Sequence, residues 1–192
     1  MLAKKSWRRQ YQNPSDEGVN LSGEFGGVKG KHLVFAVCAL FERGLGFRVY
    51  ETCYDGPETA TVVTENDRVR FDILMKQETT EGGVHYFCEC KFRSSIKAKS
   101  ELQSEFKDFV GNALKVLHYV KRKYTEDHFC FLFVATIPFD IWEENISDVE
   151  YLRKLVDNPN IDLNDLITLS NHLKITIVPR WLIKPLLRLA EV

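Results

Sequence analysis

Two neighbouring stretches, Arg68-Val-Arg-Phe-Asp-Ile-Leu-Met-Lys-Gln77 and Val84-His-Tyr-Phe-Cys-Glu-Cys-Lys-Phe92, predict a β-hairpin. Apolar and polar residues alternate in both, as they do in strands with one buried face. The segment between them, residues 78–83, predicts a turn because it ends in two glycines. For the first strand, the alternation predicts one face with Val69, Phe71, Ile73 and Met75 and the opposite face with Arg70, Asp72 and Lys76.

The hairpin is expected to bring Asp72, Glu89 and Lys91 together. In the second strand Glu89 and Lys91 share one face, opposite the face of Tyr86, Cys88, Cys90 and Phe92. A turn centred between positions 80 and 81 places Asp72 opposite Glu89, and a turn centred nearer position 82 places it opposite Lys91 or Phe92. Either register puts two carboxylates and an ammonium group at one end of one sheet face.

Helices and a strand are predicted on both sides of the hairpin. Residues 31–43 are apolar almost all round and predict a buried helix ended by two glycines, with the first strand at residues 47–51. Ser100-Glu-Leu-Gln103 has the pattern of a capping box and predicts the start of a long amphipathic helix. Residues 128–136 are nearly continuously apolar, which is typical of a central strand covered on both faces.

The last part of the chain is expected to add a helix-strand-helix extension. A short helix precedes Asn158-Pro159, and Asp162 is a suitable N-cap for a second helix that reaches Asn171. Residues 173–178 predict a strand, and residues 181–189 predict a helical stretch that is interrupted or begun at Pro185.

The acidic residue on one strand, the Glu89-Cys90-Lys91 triplet on the next, and the helices around them resemble the PD-(D/E)xK nuclease superfamily. This resemblance implies an α/β fold with a restriction endonuclease-like αβββαβ core, a mixed sheet and flanking helices. The chain departs from the family pattern in having Phe71 where a proline often stands. We therefore expect one domain, with a polar arm at 1–30, the catalytic core at 31–136 and the extension at 137–192.

The resemblance also implies a metal-dependent endonuclease that hydrolyses DNA, with Mg2+ or Mn2+ as cofactor. Asp72 and Glu89 are then catalytic metal ligands, joined by the backbone carbonyl of Cys90, because hard oxygen atoms suit these ions. Lys91 orients the attacking water or holds the charge that grows on the phosphate. Gln103, on the long helix, is either a catalytic residue beside the scissile phosphate or the cap of that helix. A first-helix carboxylate, Glu42 or Glu24, is a further candidate ligand.

Overall composition sets the conditions for DNA binding. The chain has 192 residues, a formal net charge of -1 and 44% hydrophobic residues, so it can form a sizeable core but is not basic overall. Binding of DNA, expected to be double-stranded, then needs a local basic patch, which is predicted at Arg93, Lys97, Lys99 and Lys107. The alternatives are the N-terminal arm or the group Arg180, Lys184 and Arg188.

Five cysteines within apolar stretches and no long apolar segment predict a cytoplasmic protein with reduced thiols and no membrane association. A zinc site of Cys53, His85, Cys88 and Cys90 is disfavoured, because the alternation puts His85 on the face opposite the hairpin cysteines. The competing functional hypothesis is an inactive nuclease-like module that binds nucleic acid or a protein. The order of elements is similar to N-terminal nuclease domains of bacterial antiphage defence effectors, so the chain is either such a domain, preceding a regulatory or oligomerising one, or a stand-alone nuclease.

Overall fold

A computed structural model describes residues 26–80, 82–124, 128–138, 146–156 and 161–191. The helices are α1 (Gly26–Ala39), α2 (Lys99–Lys123), α3 (Val149–Val156), α4 (Leu163–His172) and α5 (Arg180–Glu191), with a π-helical turn at Leu40–Gly44 and a 3-10 turn at Ile96–Ala98. The strands are β1 (Phe47–Thr52), β2 (Thr61–Val63), β3 (Arg68–Arg70), β4 (Ile73–Gln77), β5 (Val84–Lys91), β6 (Phe129–Ala135) and β7 (Leu173–Ile177).

The fold is α/β, with a mixed five-stranded sheet flanked by helices. The strand order is β1-β4-β5-β6-β7, and β2 and β3 form a separate two-stranded sheet. Strands β1, β4 and β5 pair antiparallel, whereas β5, β6 and β7 pair parallel. The carboxyl ends of β5, β6 and β7 therefore meet at one edge of the sheet. The C-terminal extension contributes the edge strand β7, so it is part of the main sheet.

Each face of the sheet is covered by its own hydrophobic core. One core joins α1 and α5 to residues such as Met75, Cys88 and Leu132, and the other joins α2 and α4 to residues such as Phe87 and Phe131. All seven residues of β6 are buried, which confirms a central strand covered on both sides. The predicted apolar stripe of the long helix is also confirmed, since its members are buried: Leu102, Phe106, Phe109, Val110, Ala113, Leu117 and Val120.

The first hairpin strand is not continuous, contrary to the sequence prediction. Residues 68–70 belong to the small sheet and residues 73–77 to the large one. Phe71 packs in the α2 core and Ile73 in the α1 core, so these two residues do not share a face. The cause is a change of partner between them: the amide of Phe71 donates to the carbonyl of Ala60, and the amide of Asp72 donates to that of Cys88.

Helix boundaries also differ from the expectations at two places. Helix α1 begins at Gly26, within the segment predicted as a polar arm, while residues 1–25 lie outside the described residues. Helix α2 follows the 3-10 turn directly and has Ala98 at its N-cap without a side-chain cap, so the capping box at Ser100 is wrong. The N-cap predicted at Asp162 is confirmed, because its carboxylate accepts a hydrogen bond from the amide of Asn164 at 2.9 Å.

Among the residues that the structure describes, no helix combines the length and the apolar character needed to cross a bilayer.

Candidate active site

Asp72 lies where the chain passes from the small sheet to the large one, and its environment fixes its carboxylate. The β4–β5 ladder ends at the pair Ile73 and Cys88, and the amide of Asp72, the residue before β4, donates to the carbonyl of Cys88 at 2.9 Å. This confirms the register with the turn between positions 80 and 81 and excludes the alternative. One carboxylate oxygen of Asp72 accepts a hydrogen bond from the backbone amide of Cys90 at 2.7 Å. The other accepts one from the thiol of Cys53 at 3.3 Å.

The Cys53 thiol stays protonated beside this carboxylate. Burial, followed by the negative charge of Asp72, raises the pKa of Cys53. Burial and then the charges of Cys53 and Asp72 also raise the pKa of the neighbouring Tyr54, to about 12. Both side chains are therefore neutral hydrogen-bonding groups at physiological pH, and they form the wall of the site on the side of β1.

Glu89 and Lys91 form an ion pair on the opposite side of Asp72. The Lys91 ammonium lies 2.7 Å from a Glu89 carboxylate oxygen, and the two side chains are only 27% and 20% exposed. Burial, and then the charge of Asp72, raises the pKa of Glu89 to about 7, although Lys91 acts in the opposite direction. Burial tends to lower the pKa of Lys91, but the carboxylates of Glu89, Asp72 and Glu105 outweigh burial and raise it. Lys91 is thus a permanent cation between carboxylates.

Glu105, on α2, is a site neighbour that the sequence did not reveal. Its charge acts on both Glu89 and Lys91, and its side chain is paired with the guanidinium of Arg93. One oxygen of Glu105 and Nε of Arg93 are buried without a hydrogen-bond partner. Helical periodicity contained a signal, because Glu105 lies one turn after Glu101, which also pairs with Arg93 at 3.4 Å. The helix face that carries Glu101 and Glu105 could be assigned only once the first residue of α2 was known.

The predicted helix residue and the predicted basic patch lie in different environments. Gln103 and Lys107 are exposed on α2, and Lys107 lines a depression beside Val156 of α3. Arg93 is engaged by two carboxylates, and its backbone is linked to Thr136, whose hydroxyl contacts both the amide and the carbonyl of Arg93. Lys97 is exposed. Lys99 is partly buried in the first turn of α2.

Glu42 and the residues considered for a zinc site have contacts of their own. Glu42 accepts a hydrogen bond from the amide of Val49 at 3.1 Å, and Glu24 lies outside the described residues. The sulfur atoms of Cys88 and Cys90 are 3.8 Å apart in the core, whereas the His85 ring stacks near Tyr124. Within the described ranges, no group of three or more His, Cys, Asp or Glu side chains has a metal-binding arrangement. The carboxylates at the site form a pair.

Comparisons with known proteins give little further information. No family model matches the chain, and no curated protein matches it. Among solved structures, the chain is similar to an Acinetobacter baumannii Cap4 receptor that contains a SAVED/CARF domain and was solved with the cyclic trinucleotide 2'3'3'-cAAA. The TM-score is 0.43 at 13% sequence identity, and the match covers 88% of this chain and 35% of the receptor. A likeness of this degree carries no functional argument.

Proposed function

We propose that the chain is a metal-dependent endonuclease of the PD-(D/E)xK type that hydrolyses DNA phosphodiester bonds. The observation that carries the proposal is the contact of Asp72 with the Glu89-Cys90-Lys91 segment: the Asp72 carboxylate accepts a hydrogen bond from the amide of Cys90 at 2.7 Å, and Lys91 is paired to Glu89 at 2.7 Å. The order of elements supports it: α1, the antiparallel strands β1, β4 and β5, then α2 and the parallel strand β6. This is the αβββαβ order that the resemblance implies.

The two carboxylates fit Mg2+ or Mn2+. Each Asp72 oxygen accepts one hydrogen bond and keeps a lone pair for a further partner. Burial and then the charge of Asp72 raise the pKa of Glu89 although Lys91 lowers it, and a divalent cation bound to both carboxylates would favour the ionised form of Glu89. When bound, such an ion neutralises charge on the phosphate and supplies an activated water near neutral pH. Cys90 holds Asp72 through its amide, and its carbonyl is the third ligand that the resemblance implies.

Lys91 has a distinct role in this proposal. Its ammonium group is held against Glu89 and retains two further N–H donors, which suit the non-bridging oxygens of a phosphate. A cation fixed in advance beside a phosphate stabilises the charge that develops during hydrolysis without reorganising at that moment. Glu105 maintains the protonated state of Lys91 from the side of α2. The proposed setting, an effector nuclease of bacterial antiphage defence that acts on double-stranded DNA, comes from the resemblance alone.

Nicking of supercoiled plasmid by the purified chain tests this function. We expect nicking with Mg2+ or Mn2+ and none with EDTA, and we expect Asp72→Asn and Glu89→Gln each to abolish it. Glu150→Gln, which changes an exposed carboxylate on α3, is the matched control and should cut like the parent. Nicking that persists in both site variants contradicts the proposed metal site. A parent protein that binds DNA without cutting it supports the alternative, an inactive nuclease-like module.

A further inference from the structure

Three cations border the site on the side of α1 and α5. Lys29 lies in the first turn of α1, with its ammonium 6.0 Å from the centre of the Phe92 ring. Arg180, the first residue of α5, lies over the same ring at 5.7 Å and donates a hydrogen bond to the carbonyl of Ser94 at 2.9 Å. Lys31, two residues after Lys29, lies 5.7 Å from the centre of the Tyr54 ring. We call Lys29, Lys31 and Arg180 the cation clamp.

The clamp lies on the α1 side of the sheet, where Phe92 and Tyr54 pack against the core of α1 and α5. Phe92 directly follows Lys91, at the carboxyl edge where β5, β6 and β7 end. Tyr54 directly follows Cys53, whose sulfur is 3.3 Å from the Asp72 carboxylate. The residues next to the two rings in sequence, Cys53 and Lys91, therefore carry groups of the candidate site. In open α/β sheets, the crevice at the carboxyl ends of the strands is where ligands bind.

The way these cations are held leaves their charge available. A ring attracts a cation without neutralising it, so the contacts with Phe92 and Tyr54 leave the charge and the N–H donors of Lys29 and Lys31 in place. Arg93 differs, because two carboxylates, Glu101 and Glu105, already balance its guanidinium. The start of α5 at Arg180 adds the positive end of a helix dipole to the same place.

We infer that the cation clamp binds the phosphates that flank the scissile one, and so sets the path of the DNA backbone across the site. This inference rests on the proposed function for its ligand, a phosphodiester chain. In this proposal the cation clamp, and not the segment around Lys97 and Lys99, is the main electrostatic contact with the DNA. It also accounts for how a chain with a net charge of -1 holds a polyanion, since positive groups are concentrated where the substrate must lie.

Binding of a 20-base-pair fluorescent duplex to the Asp72→Asn protein in EDTA tests the inference without cleavage. Adding Lys29→Ala and Lys31→Ala should weaken binding about tenfold or more and flatten the plot of log affinity against log salt by about two units. Adding Arg180→Ala should weaken binding further and flatten the salt slope by about one more unit. Lys29→Arg with Lys31→Arg should retain the parent slope, because phosphate contacts need the charge. Lys115→Ala with Lys154→Ala, on exposed surfaces of α2 and α3, is the matched control for loss of two charges.

The result that overturns the inference is a clamp variant whose affinity and salt slope match those of the Lys115 and Lys154 control. Loss of binding in a Lys97→Ala, Lys99→Ala protein but not in the clamp variant overturns it as well. The clamp variant should unfold at the same temperature as the parent, which shows that weaker binding does not result from loss of the fold. Failure of the proposed function is a different result, in which the parent protein does not nick plasmid. In that case a clamp-dependent salt slope still supports the clamp as a nucleic-acid contact.

Discussion

At the scale of a single residue, Lys91 allows metal binding and the rate of the chemical step to be tested separately. Lys91→Ala should still bind Mn2+ at pH 8, because the ion itself balances the charge of Glu89, although loss of Lys91 raises the pKa of Glu89 further. The single-turnover rate of cleavage should fall about 100-fold or more, because one positioned cation is lost from the transition state. Calorimetry and quenched-flow cleavage measure the two quantities. Lys91→Arg, as the control, should recover part of the rate. A complete loss of Mn2+ binding at pH 8 would show that Lys91 has a structural role.

Glu89 should make both stability and metal binding depend on pH. Its pKa of about 7 in the folded protein lies above the ordinary value of 4.5, so between these values the folded protein holds a proton that the unfolded chain releases. Its contribution to stability is therefore present below about pH 4.5 and is lost as the pH rises to about 7, by up to about 3 kcal/mol. Denaturant unfolding of the metal-free protein at pH 5 and pH 8 measures this.

The Glu89→Gln protein provides the control for this titration. It should lose less stability than the parent between pH 5 and pH 8, because the amide carries no charge at either pH. In the parent, Mn2+ affinity should fall about fivefold from pH 7 to pH 6, as protons compete for the carboxylate. Equal pH dependence of unfolding in the two proteins would mean that Glu89 has an ordinary pKa.

At the scale of an element, the hairpin turn depends on one glycine. Gly83 has a φ of +88°, and an added Cβ would lie 2.4 Å from Cε of Lys76 and 2.7 Å from the carbonyl oxygen of Gln77. Gly83→Ala should therefore destabilise the protein by about 1–3 kcal/mol. Gly111, inside α2, has no atom within 4 Å of an added Cβ, and Gly111→Ala should stabilise by about 0.5–1 kcal/mol. Urea unfolding tests the pair, and the same sign for both would contradict this account.

The sequence predicted elements whose signal is local. Alternation in β5, the run of apolar residues in β6 and the stripe along α2 all gave the right element, because burial follows a simple period. The register of β4 and β5 was left with two values, since a turn with two glycines fixes it only through the backbone angles adopted. Those angles place both Gly82 and Gly83 at positive φ.

Features that depend on distant partners were missed. The break at Asp72 arises from hydrogen bonds to Ala60 and Cys88, which alternation within residues 68–77 cannot express. The pairing of Arg93 with Glu105 joins a loop to a helix whose first residue was wrongly placed. The cation clamp could not be predicted from the sequence, because it depends on the packing of α5, the last helix, beside the end of β5. Contacts of this kind are set by topology, and a local pattern carries no information about them.

At the scale of the molecule, β6 lies between both cores and couples them. Phe131 is fully buried, with its ring centre 5.3 Å from that of Phe87 and 6.2 Å from that of Phe71. Phe131→Ala should cost about 3–5 kcal/mol through lost contacts and a residual cavity. Trp181→Ala, at a residue 74% exposed, should change stability by less than about 0.5 kcal/mol. Denaturant unfolding measures both, and a small effect at Phe131 would show that the α2 core is loosely packed.

The same residue that carries the proposed metal also connects two sheets. The backbone of Asp72 is bonded to Cys53 and Cys88, and the residue before it is bonded to Ala60 at the margin of the small sheet. Because these bonds belong to adjacent residues, we expect metal binding at the Asp72 carboxylate to stabilise the β2-β3 ribbon as well. Amide exchange at Val62 and Val69 should then slow when Mn2+ is added, although both residues lie outside the site.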